Sequence, residues 1–202
     1  MSKRDTTEQS ILVAATKVFK TKGYDGATLQ DIADEANTTK SMMNYYFRSK
    51  DRLFAAVFKI QFQQFMEGLA AFIRSDMSIY DKIVRLVEFD TERLNSFPML
   101  PVFIINEINR NPELVQTIMS DVPSHAVESL NKQIRAEVKK KTIKKIRAED
   151  LLLNIQSLMV FPVLTKPLQM KVFNKSEKEI EAMLNARKKM IVELIWNSIK
   201  AS

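Results

Sequence analysis

Apolar residues recur at helical spacing along almost the whole chain, and their phase divides it into a series of helices. Ile11, Ala14, Ala15, Val18 and Phe19 form one stripe of a first helix from about Thr7 to Lys22. Gly23 follows, where a left-handed residue would close it. Leu29, Ile32, Ala33 and Ala36 predict a short second helix, and Met43 and Phe47, one turn apart, a short third. From Lys50 a pattern without a breaker runs to about Ile73, through Leu53, Phe54, Val57, Phe58, Phe62, Phe65, Met66, Leu69 and Phe72. Such a helix extends roughly 36 Å, enough to leave a small N-terminal domain and enter a second one. Gly68 is its one interior weak point, where a bend is expected.

The later pattern stays helical. It predicts a helix at Ile79–Asn95 and a break at Pro98 and Pro101. Short pieces follow at Val102–Asn109 and Glu113–Ser120, then a helix at about Ser124–Lys140, with Pro112 and Pro123 placed where helices start. Residues 149–166 differ in kind. Leu151, Leu152, Leu153, Ile155, Leu158, Met159, Val160, Phe161, Val163 and Leu164 leave almost no polar face, so this helix should be covered on every side. The closing helix, about Glu177–Ile199, carries Ile180, Met183, Leu184, Ile191, Leu194, Ile195 and Ile199 on one stripe. These two helices carry more apolar surface than one protomer's core requires. A symmetric pairing of helix pairs between two copies accounts for the excess. The expected contacts are Leu151, Ile155, Leu158, Met159, Met183, Ile191, Leu194 and Ile195.

The second and third predicted helices form a helix-turn-helix by spacing and by chemistry. Thr28 is placed to cap the first of them, with Asp31 at the third helical position, where a carboxylate suits the positive end of the helix dipole. Asn37 sits where the chain must turn sharply and tolerates the left-handed conformation. Thr38 or Thr39 can cap the next helix. With Met43 pointing inward, Ser41 and Tyr45 point away from the core, flanked by Met42 and Asn44, and Lys40 and Tyr46 reach past the helix edge. That face is polar, aromatic and cationic without a carboxylate, whereas a surface meant only for water mixes both signs of charge. Asparagine can bond adenine edges, methionine can pack on a thymine methyl, and tyrosine and lysine can hold phosphates.

Composition narrows the alternatives. Three glycines and a hydrophobic content of 46% favour helices over a loop-rich β fold, and 202 residues can bury a sizeable core. The absence of cysteine excludes disulfides, thiol catalysis and cysteine-ligated zinc. A net charge of +7 favours a polyanionic partner. The N-terminus lacks the apolar core of a signal peptide, and the run from Leu151 to Thr165 is too short for a membrane span. A soluble, cytoplasmic protein is expected. The basic run Lys139–Lys141, Lys144, Lys145 and Arg147 reads as a solvated corner between two helices. His125, the one histidine, falls at a helix start without a cysteine to pair with. With no glycine-rich phosphate loop and no carboxylate–histidine cluster at metal spacing, the sequence supports no enzyme, metal or cofactor.

Residues 6–54 resemble the N-terminal domain of tetracycline-repressor (TetR) type transcriptional regulators. The resemblance is carried by Phe19, Gly23-Tyr24, Thr28, Ile32-Ala33, Lys40 through Phe47, and Ser49-Lys50. Where the family commonly has a glycine-valine turn, a Lys-Gly pair and a Leu-Tyr-Tyr-His-Phe ending, this chain has Asn37-Thr38, Lys40-Ser41 and Met43-Asn44-Tyr45-Tyr46-Phe47. These departures fall on the reading face, so the family's DNA preferences do not transfer. The resemblance implies an all-α protein: a three-helix helix-turn-helix DNA-binding domain at residues 1–50 and a larger helical ligand-binding and dimerisation domain at 51–202. It also implies a phosphate contact from Lys50, and dimer contacts from the last two long helices.

The expected DNA-binding set is Thr28, Gln30, Thr39, Lys40, Ser41, Met42, Asn44, Tyr45, Tyr46 and Lys50. Two reading helices of a homodimer, roughly 34–36 Å apart, would read the halves of a palindrome on double-stranded DNA. The resemblance further implies a small-molecule effector in the C-terminal domain, where Phe89, Phe103, Asn106, Glu107 and Phe161 are the candidate contacts. The competing reading is a helical small-molecule-binding protein that keeps the fold and no longer binds an operator.

Overall fold

The computed structural model describes residues 3–96, 101–102, 105, 109 and 125–201. Among them the secondary structure is helical apart from one isolated antiparallel bridge, Ile143 to Lys200. The helices are α1 (Lys3–Gly26), α2 (Leu29–Glu35), α3 (Lys40–Phe47), α4 (Lys50–Arg74), α5 (Ile79–Ser96), α6 (His125–Lys139), α7 (Ala148–Leu164), α8 (Lys166–Val172) and α9 (Glu177–Ile199). The chain forms two compact units, Met1–Phe65 and Met66–Ser202, and the division falls inside α4. Residues past position 50 therefore group with the helix-turn-helix: Leu53, Phe54, Val57 and Phe58 are buried, and Phe54 meets Phe19 of α1 edge-on at 4.8 Å.

In the first unit, the stripe Ile11, Ala14, Ala15, Val18 and Phe19 is buried as its spacing requires. The helical ladder of α1 breaks at Gly23, whose φ of 69° favours glycine. Ile32 and Ala33 of α2 and Met43 and Phe47 of α3 complete the core. Each fully buried Ile, Met or Phe side chain contributes about 1.5–3 kcal/mol.

In the second unit, α5, α6, α7 and α9 share a continuous core that includes Ile83, Leu86, Leu130, Leu151, Ile155, Ile191 and Ile195. Two charged groups lie within it. Lys82, 4% exposed, donates to the Ile73 carbonyl at 2.6 Å and to Gln133 Oε1 at 2.5 Å. Burial holds its pKa below the usual lysine range, with Asp76 opposing the shift. Asp90 accepts from Gln156 of α7 at 2.5 Å and from Arg93 at 3.1 Å. Burial outweighs both partners and raises its carboxyl above the usual range. Gly68 leaves room for the Phe89 ring: a Cβ there would lie 2.9 Å from Phe89 Cζ.

The apolar α7 is covered only in part by its own protomer: Leu153 is 63% exposed and Phe161 65%. Of the interface residues expected from sequence, Leu151, Ile155, Met159, Ile191 and Ile195 are buried in the protomer's own core, none more than 8% exposed. Leu158 and Met183 are half-buried, and Leu194 is 54% exposed. The apolar residues that do face outward are Leu153 and Phe161 on α7, Met190 and Leu194 on α9, and Leu168, Val172 and Phe173 at α8. The short α8, which the hydrophobic pattern does not predict, follows a 69° bend after α7. Pro167 has no N–H to continue the α7 ladder, which ends at Thr165. Among the described residues no single helix is long and apolar enough to cross a membrane.

Candidate nucleic-acid interface

Caps set the geometry of the helix-turn-helix. Thr28 and Asp31 form a reciprocal capping box: the Asp31 amide donates to Thr28 Oγ1 at 3.1 Å, and the Thr28 amide to Asp31 Oδ2 at 3.0 Å. The Lys22 ammonium at 2.8 Å and the Thr28 bonds hold the Asp31 carboxyl at a pKa of about 2. After α2 the chain reverses at Asn37, whose φ of 53° is the left-handed value expected from its sequence position. Thr39 then caps α3, its hydroxyl accepting from the Met42 amide at 3.3 Å. At the far end Arg48 takes a φ of 61°, and Ser49 caps α4 by accepting from the Arg52 amide at 3.2 Å.

With Met43 1% and Phe47 7% exposed, α3 is pinned by one edge and its other side is presented. Lys40, Ser41, Asn44 and Tyr45 are exposed, Tyr45 at 62%, and Met42 is half-buried. Tyr46, also half-buried, meets Tyr45 edge-on at 5.2 Å between ring centroids. The eight residues of α3 include no carboxylate. A short, rigidly capped helix presenting amide, hydroxyl, phenol and ammonium groups is chemically suited to base edges and phosphates.

The remaining predicted DNA contacts are placed differently. The Thr28 hydroxyl donates to Asp31 Oδ2 at 2.8 Å, so it is occupied by the cap. Gln30 is exposed and donates to Asp34 Oδ1 at 2.8 Å. The Lys50 ammonium turns inward, bonding the Ala27 carbonyl at 3.0 Å and lying 4.3 Å from the centre of the Tyr24 ring. Arg48 and Arg52, both exposed next to the end of α3, escape a reading based on the helix face alone. Their signal is adjacency to the reading helix rather than periodicity.

Of the ligand candidates, Phe103, Asn106 and Glu107 lie outside the described residues. Phe89 is half-buried beside Gly68 and meets Phe72 edge-on at 5.2 Å, an interior position. Phe161, on α7, is 65% exposed. A groove of about 350 Å³ in the first unit, lined by Lys17, Lys22, Asp31 and Glu35 among others, is charged and crossed by ion pairs at 2.6 and 2.8 Å. It does not match the apolar site expected from sequence.

Residues 11–57 match the family described as bacterial regulatory proteins, tetR family. The HTH-type transcriptional repressor NicS of Pseudomonas putida is 29% identical over 117 residues, 58% of this chain and 49% of that protein. The chain thus spans about half the length of that curated relative. In fold, it is similar to a transcriptional regulator from Saccharomonospora viridis in complex with choline, with a TM-score of 0.63 and 19% identity over 92% of this chain and 96% of that one. It is also similar to the regulator FadR from Bacillus subtilis in complex with stearoyl-CoA, with a TM-score of 0.58 and 20% identity over 93% and 96% of the two chains.

Proposed function

Because the chain belongs to the TetR family of bacterial regulatory proteins, we propose that it is a sequence-specific repressor that binds a palindromic operator as a homodimer and is released by a small-molecule effector. The observation that carries the DNA-reading part is the outer side of α3, where Lys40, Ser41, Asn44 and Tyr45 are exposed on a capped helix without a carboxylate. Lys40 holds phosphate, and Asn44 and Tyr45 read base edges.

Two variants separate these roles. Lys40→Ala should weaken binding to all duplexes alike and flatten the salt dependence by about 0.9 in log–log slope for each phosphate it no longer neutralises. Asn44→Ala should leave that slope intact and relax preference at one position of the site, at about 1–3 kcal/mol. Parent-like binding by both variants in fluorescence-anisotropy titrations would remove α3 as the reading element.

The dimer reading is supported by outward apolar residues on three successive helices, Leu153, Phe161, Leu168, Val172, Met190 and Leu194 among them. Large apolar side chains facing outward on neighbouring helices are the kind of surface a partner copy covers. The fold neighbours solved in complex with choline and with stearoyl-CoA support a small-molecule effector for this chain. Phe89 is the described residue best placed to contribute to such a site. Native mass spectrometry of gently purified protein should show a small-molecule adduct. Unliganded protein that no metabolite extract displaces from its operator would contradict release by an effector.

A further inference from the structure

The surroundings of Lys50 depart from the phosphate-holding role that the family resemblance implies. Its ammonium donates to the carbonyl of Ala27, the residue just before the cap of α2, at 3.0 Å. It also lies 4.3 Å from the centre of the Tyr24 ring, within cation–π range. The next residue, Asp51, accepts a hydrogen bond from the Tyr24 hydroxyl. Tyr24 is thus held at its face by Lys50 and at its tip by Asp51, both from the first turn of α4.

Tyr24 is itself anchored. It follows the left-handed Gly23 and packs with Phe19 at 6.2 Å and edge-on with Phe54 at 4.9 Å. One lysine therefore joins three pieces of chain: the end of α1 through Tyr24, the entry to α2 through Ala27, and the start of α4. The reading helix ends at Phe47, and only Arg48 and Ser49 separate it from Lys50. A group that fixes both the entry to α2 and the start of α4 also fixes the two ends of the segment carrying α3.

We infer that Lys50 is a positioning residue: with Tyr24 and Asp51 it forms a clamp that sets the pose of the reading helix, and it does not hold a DNA phosphate. The inference rests on the DNA-binding reading for one of its readouts and is independent of it for the other.

The test uses the full chain with Lys50→Met, which keeps the aliphatic stem and removes the charge, Tyr24→Leu, which removes the ring, and the double variant. Tyr24→Met, which also removes the ring and keeps an apolar side chain, is the alternative should Tyr24→Leu not fold. On the duplex pool enriched by the parent, Lys50→Met should lower affinity several-fold with the parent's salt slope. In urea unfolding, the two substitutions should be non-additive, the double variant retaining about two- to fivefold more folded protein than the sum of the single losses. A salt slope reduced by about 0.9, the value for one phosphate, or additive unfolding losses, would overturn the clamp. If the parent enriches no sequence, the DNA-binding reading fails on its own, and the unfolding cycle alone decides the inference.

Discussion

The outer side of α3 and the outer sides of α7 and α9 both present more than contact with water requires, but in opposite chemistry. On α3 the exposed groups are polar, aromatic and cationic, and the buried ones, Met43 and Phe47, stand one turn apart. On α7 and α9 large apolar side chains lie on both sides: Ile155 and Ile195 inward, Leu153, Phe161 and Leu194 outward. The contrast shows what a sequence pattern can and cannot orient. A helix with few apolar positions has one possible inward side. A helix that is apolar nearly all round has no preferred phase, so its sequence reveals that it is buried without revealing what buries which side.

The largest test of that contrast sets an inward position against an outward one on the same helix pair. Ile155→Glu places an unpaired carboxylate at a site 1% exposed, and should cost about 3–5 kcal/mol and abolish cooperative thermal unfolding. Ile195→Glu, at 4% exposed, should behave in the same way. Leu194→Glu, at a site 54% exposed, should leave helical content intact while light scattering reports monomers. Folded Ile155→Glu, or dimeric Leu194→Glu, would reverse the assignment of sides.

A smaller effect is expected at the α3 cap. Thr39→Ala removes the hydroxyl that accepts from the Met42 amide, and should cost about 1 kcal/mol in urea unfolding. A cost near zero would mean that packing of Met43 and Phe47 alone sets the start of the helix.

The smallest effect concerns pH. Asp31 titrates at about 2 in the folded protein, below its ordinary value of 3.8, because Lys22 and Thr28 bond its charged form. A lowered carboxylate pKa contributes stability that is present above the ordinary value and fades as pH falls toward about 2. Acid titration followed by carboxyl NMR should place the Asp31 midpoint near 2, and a midpoint near 3.8 would show that the capping box is not closed in solution.

Much of the first unit was legible because its signals are local. Gly23 takes the positive φ and Asn37 the left-handed turn that their positions suggest, and Thr28 and Thr39 each cap the helix that follows. Cap chemistry acts within three or four residues, so spacing alone exposes it. What escaped the sequence depends on contacts between distant residues. The inward turn of Lys50 needs Tyr24 and Ala27, more than twenty positions away. The burial of Lys82 needs Gln133, and that of Asp90 needs Gln156. The placement of Phe161 follows from the packing phase of α7, which its uniform apolarity hides.

Whether α3 reads DNA sequence is tested most directly by selection from a random duplex library at near-physiological salt, with sequencing of the bound fraction. The expected result is enrichment of a two-fold palindrome whose half-sites are centred about one helical turn apart, lost or altered in Asn44→Ala. Salt-sensitive binding without enrichment of any sequence, by parent and variant alike, would contradict a reading role for α3.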